Sequence, residues 1–157
     1  MTGFEISITI NKPIDIVAAA LNNADNFPYW QTGLERFEVV KGGPNQVGSI
    51  GRLHYSQKGR SYVMEDRLMY CEPGKKYISE VEGDAIFARV ETTLHPLNGR
   101  TGMVLNWSGK GKTLFLRLFL PFLRARMVKQ AKKELEMFKQ LVEERGADFS
   151  KLPEGGV

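Results

Sequence analysis

Hydrophobic and polar residues alternate at the start of the chain, from Phe4 to Ile10. A period of two with several β-branched residues is typical of a half-buried strand. Pro13 follows closely, and a proline at the first helical position favours the start of a short helix. A second short helical turn carries Phe27 and Trp30. The pattern therefore predicts one strand followed by two short helices.

Six further short strands are expected in the middle of the chain, separated by turns rich in glycine, proline and asparagine. They are predicted at Phe37–Val40, Val47–Tyr55, Ser61–Tyr70, Tyr77–Val81, Phe87–His95 and Gly102–Gly109. Because tight turns join antiparallel neighbours, the sequence predicts an antiparallel sheet. Together with the first strand, this sheet has seven strands.

The pattern changes to a helical period after Gly111. Apolar residues at steps of three or four form one stripe, which comprises Leu123, Met127, Ala131, Leu135, Phe138 and Val142. Pro121 either starts this helix or kinks it, and a helix from Pro121 to Arg145 would be roughly 37 Å long at about 1.5 Å per residue. We expect one ligand-binding domain over residues 1–147 and a flexible C-terminal tail over residues 148–157.

The order of these elements indicates an α+β fold with one layer of helix against one sheet. A twisted antiparallel sheet has to cover its apolar face, and a long helix with one apolar stripe can do so. A strongly curved sheet leaves a space beside the helix wherever side chains do not fill it. A small apolar ligand could bind in that space.

Composition adds few constraints. The chain has 157 residues, of which 42% are hydrophobic and 25% charged, as in ordinary globular proteins. Cys71 is the single cysteine, which excludes an internal disulfide, and the N-terminus lacks a signal-peptide pattern. A cytoplasmic location is therefore expected. His54, His95 and Cys71 have no metal-ligand spacing, so we expect no metal and no cofactor.

Positive charge is concentrated near the C-terminus. Residues 110–139 hold nine Lys or Arg and two acidic residues, whereas the net charge of the whole chain is +4. Such a segment could bind nucleic acid or an anionic membrane, but it is more often the solvated face of an amphipathic helix. Nucleic-acid binding is not expected, because no aromatic residues alternate with these cations on an exposed sheet.

Several short motifs resemble one known family in their order and spacing. They are Ile10-Asn11-Lys12-Pro13, Asn26-Phe27-Pro28-Tyr29-Trp30, Tyr70-Cys71-Glu72-Pro73-Gly74-Lys75-Lys76, Gly99-Arg100-Thr101 and a final helix ending Phe138-Lys139-Gln140-Leu141-Val142-Glu143-Glu144. Over residues 4–145 the chain resembles the START-like (SRPBCC) superfamily, in particular its polyketide cyclase/dehydrase and lipid-transport branch. The resemblance implies a helix-grip fold, in which a curved sheet wraps around the long C-terminal helix. Members bind lipids, sterols, polyketides or hormones, and some are cyclases, so the fold alone does not decide the activity.

Candidate ligand-binding residues come first from the short helices and from one strand face. Trp30 lies where the family's cavity mouth is expected, and it could stack on a ligand or close one end of the core. By alternation, one strand face carries Tyr62, Met64, Asp66, Leu68 and Tyr70. If that face points inward, Asp66 is a buried carboxyl group with a raised pKa, suited to acid catalysis or to a ligand hydrogen bond. Alternatively, Asp66 pairs with a neighbouring arginine or lies at a sheet edge.

The other candidates lie on the last strand and on the helix. They are Leu105, Trp107, Phe119, Leu123 and Met127. Together with Met64, residues of this set would surround the apolar body of a ligand, and its polar end would contact Asp66 or a tyrosine. The pattern identifies no catalytic residue.

The segment 113–123 is apolar on nearly every side, so one partner face cannot bury it completely. It could cover the cavity, form a homodimer contact, or make a peripheral membrane contact. In the membrane alternative the contact would extend over residues 113–129, with Arg124, Arg126 and Lys129 at the lipid surface.

Three functions are compatible with these observations. The leading hypothesis is non-catalytic binding or carriage of a small hydrophobic ligand, such as a lipid or a polyketide. The second is a polyketide cyclase/dehydrase-like enzyme, which needs a titratable group with a perturbed pKa inside the cavity. The third is a membrane-surface lipid-handling protein.

Overall fold

The structure, a computed structural model, describes residues 1–151. Its strands are β1 (Thr2–Ile10), β2 (Leu34–Lys41), β3 (Ile50–Gln57), β4 (Arg60–Glu72), β5 (Lys76–Glu82), β6 (Ile86–Leu97) and β7 (Arg100–Gly111). Its helices are α1 (Ile14–Asn22), α2 (Phe27–Trp30) and α3 (Leu114–Arg145), with a 3₁₀ turn at Ala24–Asn26.

All strands belong to one antiparallel sheet with the order β1-β7-β6-β5-β4-β3-β2. Short turns join the consecutive strands from β2 to β7, which places each beside its neighbour. The first strand returns to pair with the last, so that Phe4 lies opposite Trp107 and Ile6 opposite Leu105. The predicted helix-grip α+β fold is confirmed, including its seven antiparallel strands and the short helices after β1.

The long helix begins earlier than the sequence indicated. It starts at Leu114, where the Thr113 side chain accepts a hydrogen bond of 3.2 Å from the backbone N–H of Leu116. Pro121 lies inside the helix, so of its two predicted positions, the start of the helix or a kink within it, the first is wrong. A proline there lacks the N–H that would bond the carbonyl of Arg117, and because Arg117 is exposed, that carbonyl can be satisfied by water.

Strand β4 contains an irregularity that changes which side chains face inward. Its pairing with β5 shifts between Leu68, opposite Ser79, and Tyr70, opposite Ile78, so Met69 is an extra residue. Such a bulge reverses the alternation beyond it. The prediction that Tyr70 shares a face with Asp66 is therefore wrong, and Tyr70 is 40% exposed.

The hydrophobic core occupies one end of the molecule. It lies between the C-terminal half of α3, helix α1 and the strands β1, β6 and β7. Its largest fully buried apolar side chains are Phe138, Phe149, Ile10, Met103, Leu135, Val17 and Val142. The core thus fixes the second half of α3 on the sheet, whereas most side chains of the first half remain exposed.

The chain beyond α3 is partly packed into this core. Phe149 is completely buried, and its backbone N–H donates a 2.9 Å hydrogen bond to Oδ1 of Asn26. Nδ2 of Asn26 donates to the carbonyls of Ala20 and Ala147. The packed domain therefore extends to at least Phe149, beyond the expected boundary at residue 147; residues 152–157 of the expected tail lie outside the described residues. Among residues 1–151, no helix is long and apolar enough to cross a membrane.

Candidate functional site

A cavity of about 700 Å³ lies between α3 and the sheet face that the helix covers. Helix α3 packs on β1 and β7, whereas the cavity extends beneath it towards the other strands. Every strand contributes to the wall, and examples in chain order are Phe4, Phe37, Leu53, Met64, Val81, Ala88 and Leu105. The lining is therefore mainly apolar, as expected of a small-molecule site.

One wall of the cavity is a flat aromatic pair. Trp107 stacks on Phe4 with ring centroids 5.3 Å apart and planes 12° apart. Gly109 makes this possible, because a Cβ at that position would lie 2.4 Å from Cη2 of Trp107. The indole can thus lie across the β7 backbone, where it forms part of the cavity wall.

A second aromatic cluster, centred on Trp30, forms the part of the cavity wall near the short helices. Trp30 packs on Phe138 at 5.1 Å and on Phe27 at 6.4 Å between ring centroids. Phe27 in turn contacts the ring of Phe37 at 5.1 Å. The Nε1 atom of Trp30 is buried without a hydrogen-bond partner, so one donor in this wall remains unused.

Two tyrosines form a polar part of the wall. Tyr55 and Tyr62 stack with centroids 5.0 Å apart, and the Tyr55 hydroxyl donates a 3.1 Å hydrogen bond to Oε1 of Gln31. Burial, with a further contribution from the negative charge of Glu134, raises the pKa of the Tyr55 phenol above its ordinary range. Tyr55 therefore stays neutral and can act as a hydrogen-bonding group.

Two carboxyl groups face the same cavity from opposite sides. Asp66 lies on the sheet and Glu134 on α3. Burial raises the pKa of Asp66 to about 6 and that of Glu134 to about 7. Within residues 1–151 neither carboxyl group belongs to an ion pair, and Glu134 accepts a 3.4 Å hydrogen bond from Nε2 of Gln130.

The local sequence explains how these carboxyl groups come to face the cavity. Asp66 lies opposite Gly51 in the pairing of β3 with β4, and by alternation it shares its strand face with Met64 and Leu68, which also line the cavity. Glu134 follows Ala131 by three residues and precedes Phe138 by four, so it lies on the inward stripe of α3. Acids with pKa values near neutrality can bind or release protons at physiological pH. In the described part of the chain, no group of three His, Cys, Asp or Glu residues could hold a metal ion.

Comparison with known proteins identifies the family. The family described as polyketide cyclase / dehydrase and lipid transport matches residues 1–143. The chain belongs to this family. No curated protein matches the chain.

Solved structures of the START-like superfamily share the fold. The Zhui aromatase/cyclase from Streptomyces sp. R1128 has 18% identity and a TM-score of 0.78, with 99% of each chain covered. A START superfamily protein from Mycobacterium smegmatis has 14% identity and a TM-score of 0.69, covering 85% of this chain and 94% of the other. Ara h 8.0201 has 15% identity and a TM-score of 0.72, covering 90% and 97%. At these identities the likeness establishes the fold and not the activity.

The structure brings together most of the residues that the sequence of this polyketide cyclase/dehydrase family member suggested. The cavity is lined by Trp30, Tyr62, Met64, Asp66, Leu105, Trp107, Leu123 and Met127. Phe119 is the exception: it is 47% exposed and lies outside the lining, stacked on Phe115. Helix α3 turns the Phe119 side chain away from the sheet, so Phe119 forms no part of the cavity wall, and its contact with a ligand stays a prediction.

Sequence reasoning missed two polar residues of the site, Tyr55 and Glu134. Tyr55 follows Leu53 by two residues in the predicted strand Val47–Tyr55, so alternation places both side chains on one face, and both line the cavity. Glu134 entered the sequence analysis only as one of two acidic residues in the basic segment, although its spacing from Ala131 and Phe138 places it on the apolar stripe. Neither alternative position of Asp66 applies, since it has no arginine partner in the described residues and β4 lies inside the sheet.

Proposed function

We propose that this protein binds a small hydrophobic molecule in the cavity between the sheet and α3. The observation that carries the proposal is a space of about 700 Å³ with predominantly apolar walls on both the sheet and the helix side. Binding would remove apolar surface of the ligand from water, at roughly 25 cal/mol per Å² before entropy losses. Family membership supports binding of this kind.

The polar groups in the wall narrow the ligand class. Asp66 lies on the sheet and Glu134 on α3, while Tyr55 and Tyr62 line the cavity from β3 and β4, with the Tyr55 hydroxyl bonded to Gln31. A purely aliphatic molecule would displace water from these groups and offer them no hydrogen bond beyond those they make within the protein, at a cost in binding free energy. The proposed ligand therefore has an apolar or aromatic body with several hydroxyl or carbonyl groups.

A tryptophan at position 127 tests the proposal. Met127 lines the cavity and does not belong to the buried core, so Met127→Trp should fill part of the space while the packed core stays intact. We expect this variant to lose most of its uptake of an apolar fluorescent probe, anilinonaphthalene sulfonate, while its unfolding temperature changes little. The matched control is Met137→Trp on the same helix, where the side chain is 41% exposed and outside the cavity.

The outcome is decided by comparing the two variants. Unchanged probe uptake by Met127→Trp, with a normal unfolding transition, would count against the cavity as the binding site. Native mass spectrometry of the freshly purified protein adds an independent measurement. A co-purified small molecule that is present in the Met137→Trp control and absent from Met127→Trp would identify the natural ligand class.

A second candidate function is acid–base catalysis of the cyclase/dehydrase kind. It is favoured by the presence of two carboxyl groups in one apolar cavity with pKa values of about 6 and about 7. Asp66, with the lower pKa, would take a proton from a carbon next to a ketone. Glu134, with the higher pKa, would protonate a β-hydroxyl group, which leaves as water while the C–H electron pair becomes the new double bond.

Dehydration of an aryl β-hydroxyketone tests this second candidate, because the enone product absorbs strongly in the ultraviolet. Catalysis should be lost in both Asp66→Asn and Glu134→Gln, while uptake of the fluorescent probe is kept. An enone rate equal for the wild type and the Asp66→Asn/Glu134→Gln double variant would leave binding as the only proposed function.

A further inference from the structure

The first half of α3 carries the largest group of exposed apolar side chains on the described chain. This exposed apolar patch consists of Leu114, Phe115, Leu118, Phe119, Phe122 and Leu123, with exposures from 37% to 81%. Three of its rings form a ladder along the helix, with centroids 4.4 Å apart for Phe115–Phe119 and 6.2 Å apart for Phe119–Phe122. Contiguous apolar surface of this kind marks a contact with another body.

The charge around this patch has one sign. Residues 110–129 include six Lys or Arg and no Asp or Glu. Lys112 is paired with Glu82 at 3.2 Å, but Arg117 and Arg124 donate only to the backbone carbonyls of Gly111 and Gly3, which leaves their charge uncompensated. Arg126 and Lys129 enter no ion pair within residues 1–151. The partner of this surface should therefore offer negative charges to the cations and an apolar layer below those charges to the exposed apolar side chains.

A second copy of the chain satisfies this requirement poorly. Two patches brought face to face would also bring their like charges together, which is unfavourable. An anionic lipid surface meets both conditions, since aromatic and leucine side chains insert at the boundary between headgroups and acyl chains while cations remain among the headgroups. We propose that the exposed apolar patch on the first half of α3 docks this protein onto an anionic membrane surface.

The position of this patch connects it with the cavity. Leu123 belongs both to the patch and to the cavity wall, and Arg126 lines the cavity from the same stretch of helix. Docking would therefore place the α3 side of the cavity close to the lipid. The proposal goes beyond ligand binding, because the patch could hold the protein on a membrane even if the cavity were empty.

Vesicle co-sedimentation of the whole chain tests the docking. The probes are vesicles of phosphatidylcholine alone and of phosphatidylcholine mixed with phosphatidylglycerol, at about 0.1 M and about 1 M salt. We expect binding to the mixed vesicles that weakens at high salt and is weak or absent with phosphatidylcholine alone. The Phe115→Ser/Phe122→Ser double variant should lower the affinity by about tenfold or more, because both rings are among the most exposed of the patch.

Three further variants test whether vesicle binding depends on the patch. The alternatives are non-specific hydrophobic adsorption of the helix and binding of lipid in the cavity. Met137→Ser removes an exposed apolar side chain from the same helix outside the patch and should bind vesicles like the wild type. Lys129→Glu should weaken binding to the mixed vesicles several-fold, which keeps a test available if the phenylalanine variant does not fold. Met127→Trp, which fills the cavity, should retain vesicle binding, so that failure of docking and failure of ligand binding are distinguishable.

Several results would overturn the docking proposal. One is the absence of co-sedimentation with either vesicle type. Another is equal binding by the wild type and the Phe115→Ser/Phe122→Ser variant. A third is a stable dimer, measured by light scattering, that the same variant converts to a monomer without any vesicle binding by the wild type; the patch would then be the contact with a second copy.

Discussion

Tyr55 and Tyr62 are direct partners across the β3–β4 hairpin, and their rings stack at 5.0 Å with an interplanar angle of 12°. The two strands are joined by Lys58 and Gly59, both with positive φ (51° and 77°), as a tight hairpin turn requires. Tyr62 is 41% exposed and covers part of Tyr55, whose hydroxyl reaches Gln31. Both tyrosines of the hairpin thus line the cavity, Tyr55 as the more buried and Tyr62 as the more exposed of the pair.

Removing the outer ring should weaken this hairpin. We expect Tyr62→Ala to lower the free energy of unfolding by about 1 kcal/mol more than Tyr62→Phe, because only the alanine variant loses the stacking contact. Urea denaturation of the wild type and of both variants measures this difference. Equal stability of the alanine and phenylalanine variants would show that the stack contributes nothing.

The buried carboxyl group of Asp66 should make stability depend on pH. Burial raises its pKa from 3.8 to about 6, so between about pH 4 and about pH 6 the folded protein keeps a proton that the unfolded chain has lost. The free energy of unfolding should therefore fall as the pH rises through this window. The total change due to Asp66 is about 3 kcal/mol and remains at higher pH.

Asp66→Asn removes this titration and should be more stable than the wild type at neutral pH, with little difference near pH 4. Glu134→Gln should act in the same direction over a window that extends to about pH 7, since burial raises the pKa of Glu134 as well. Denaturation at a series of pH values checks both variants. The control is Glu65→Gln on the same strand, whose side chain is 43% exposed. A constant difference between Asp66→Asn and the wild type over the whole range contradicts the expected shift.

The close approach of Trp107 to Gly109 can be tested by a double-mutant cycle. Gly109→Val should displace the indole from Phe4 and lower stability by about 2 kcal/mol, because a Cβ there would overlap the ring. In a Trp107→Leu background the same substitution should cost clearly less. The free energies of unfolding of the four proteins give the coupling, and a coupling of zero argues against the contact.

The burial of Phe149 predicts that the segment after α3 is needed for stability. Phe149→Ala should cost about 3–5 kcal/mol, since its fully buried ring packs on Phe138 and Tyr29. Asn26→Ala should cost about 2 kcal/mol or more, because it leaves the N–H of Phe149 and the carbonyls of Ala20 and Ala147 without their partner. Chemical denaturation measures both, with Ser150→Ala as the exposed control. A cost for Phe149→Ala below about 1 kcal/mol would mean that the ring is not held in the core.

Much of the fold followed from periodicity. The alternation from Phe4 to Ile10 and the turn residues between later strands were enough to predict the strand number and the antiparallel pairing, because side-chain direction alternates strictly along a strand. The same argument put Met64 and Asp66 on one strand face but left open whether that face points inward; in the structure both line the cavity. The ends of the elements were predicted less accurately. Strand β2 starts at Leu34 and not at Phe37, and β3 starts at Ile50 and not at Val47.

Other features depended on contacts between distant residues. The bulge at Met69 reverses the side-chain direction beyond it, and no single residue in β4 indicates it. The residues next to Phe149 in the sequence are mostly polar or glycine. Phe149 is nevertheless buried, because its ring packs on Phe138 and its backbone N–H donates a hydrogen bond to Asn26. Phe119 shares the apolar character of Leu120, but only Leu120 faces the sheet.

The sequence alone determined the type and number of the elements, the antiparallel pairing of the strands and the family, since these follow from local side-chain periodicity, tight turns and motifs of neighbouring residues. Tertiary structure decided which apolar residues are core, cavity wall or exposed patch. It also decided that Asp66 and Glu134 face one cavity, although they are far apart in the chain. The physical reason is that burial, and with it the raised pKa of each acid, depends on the surroundings that other parts of the chain provide.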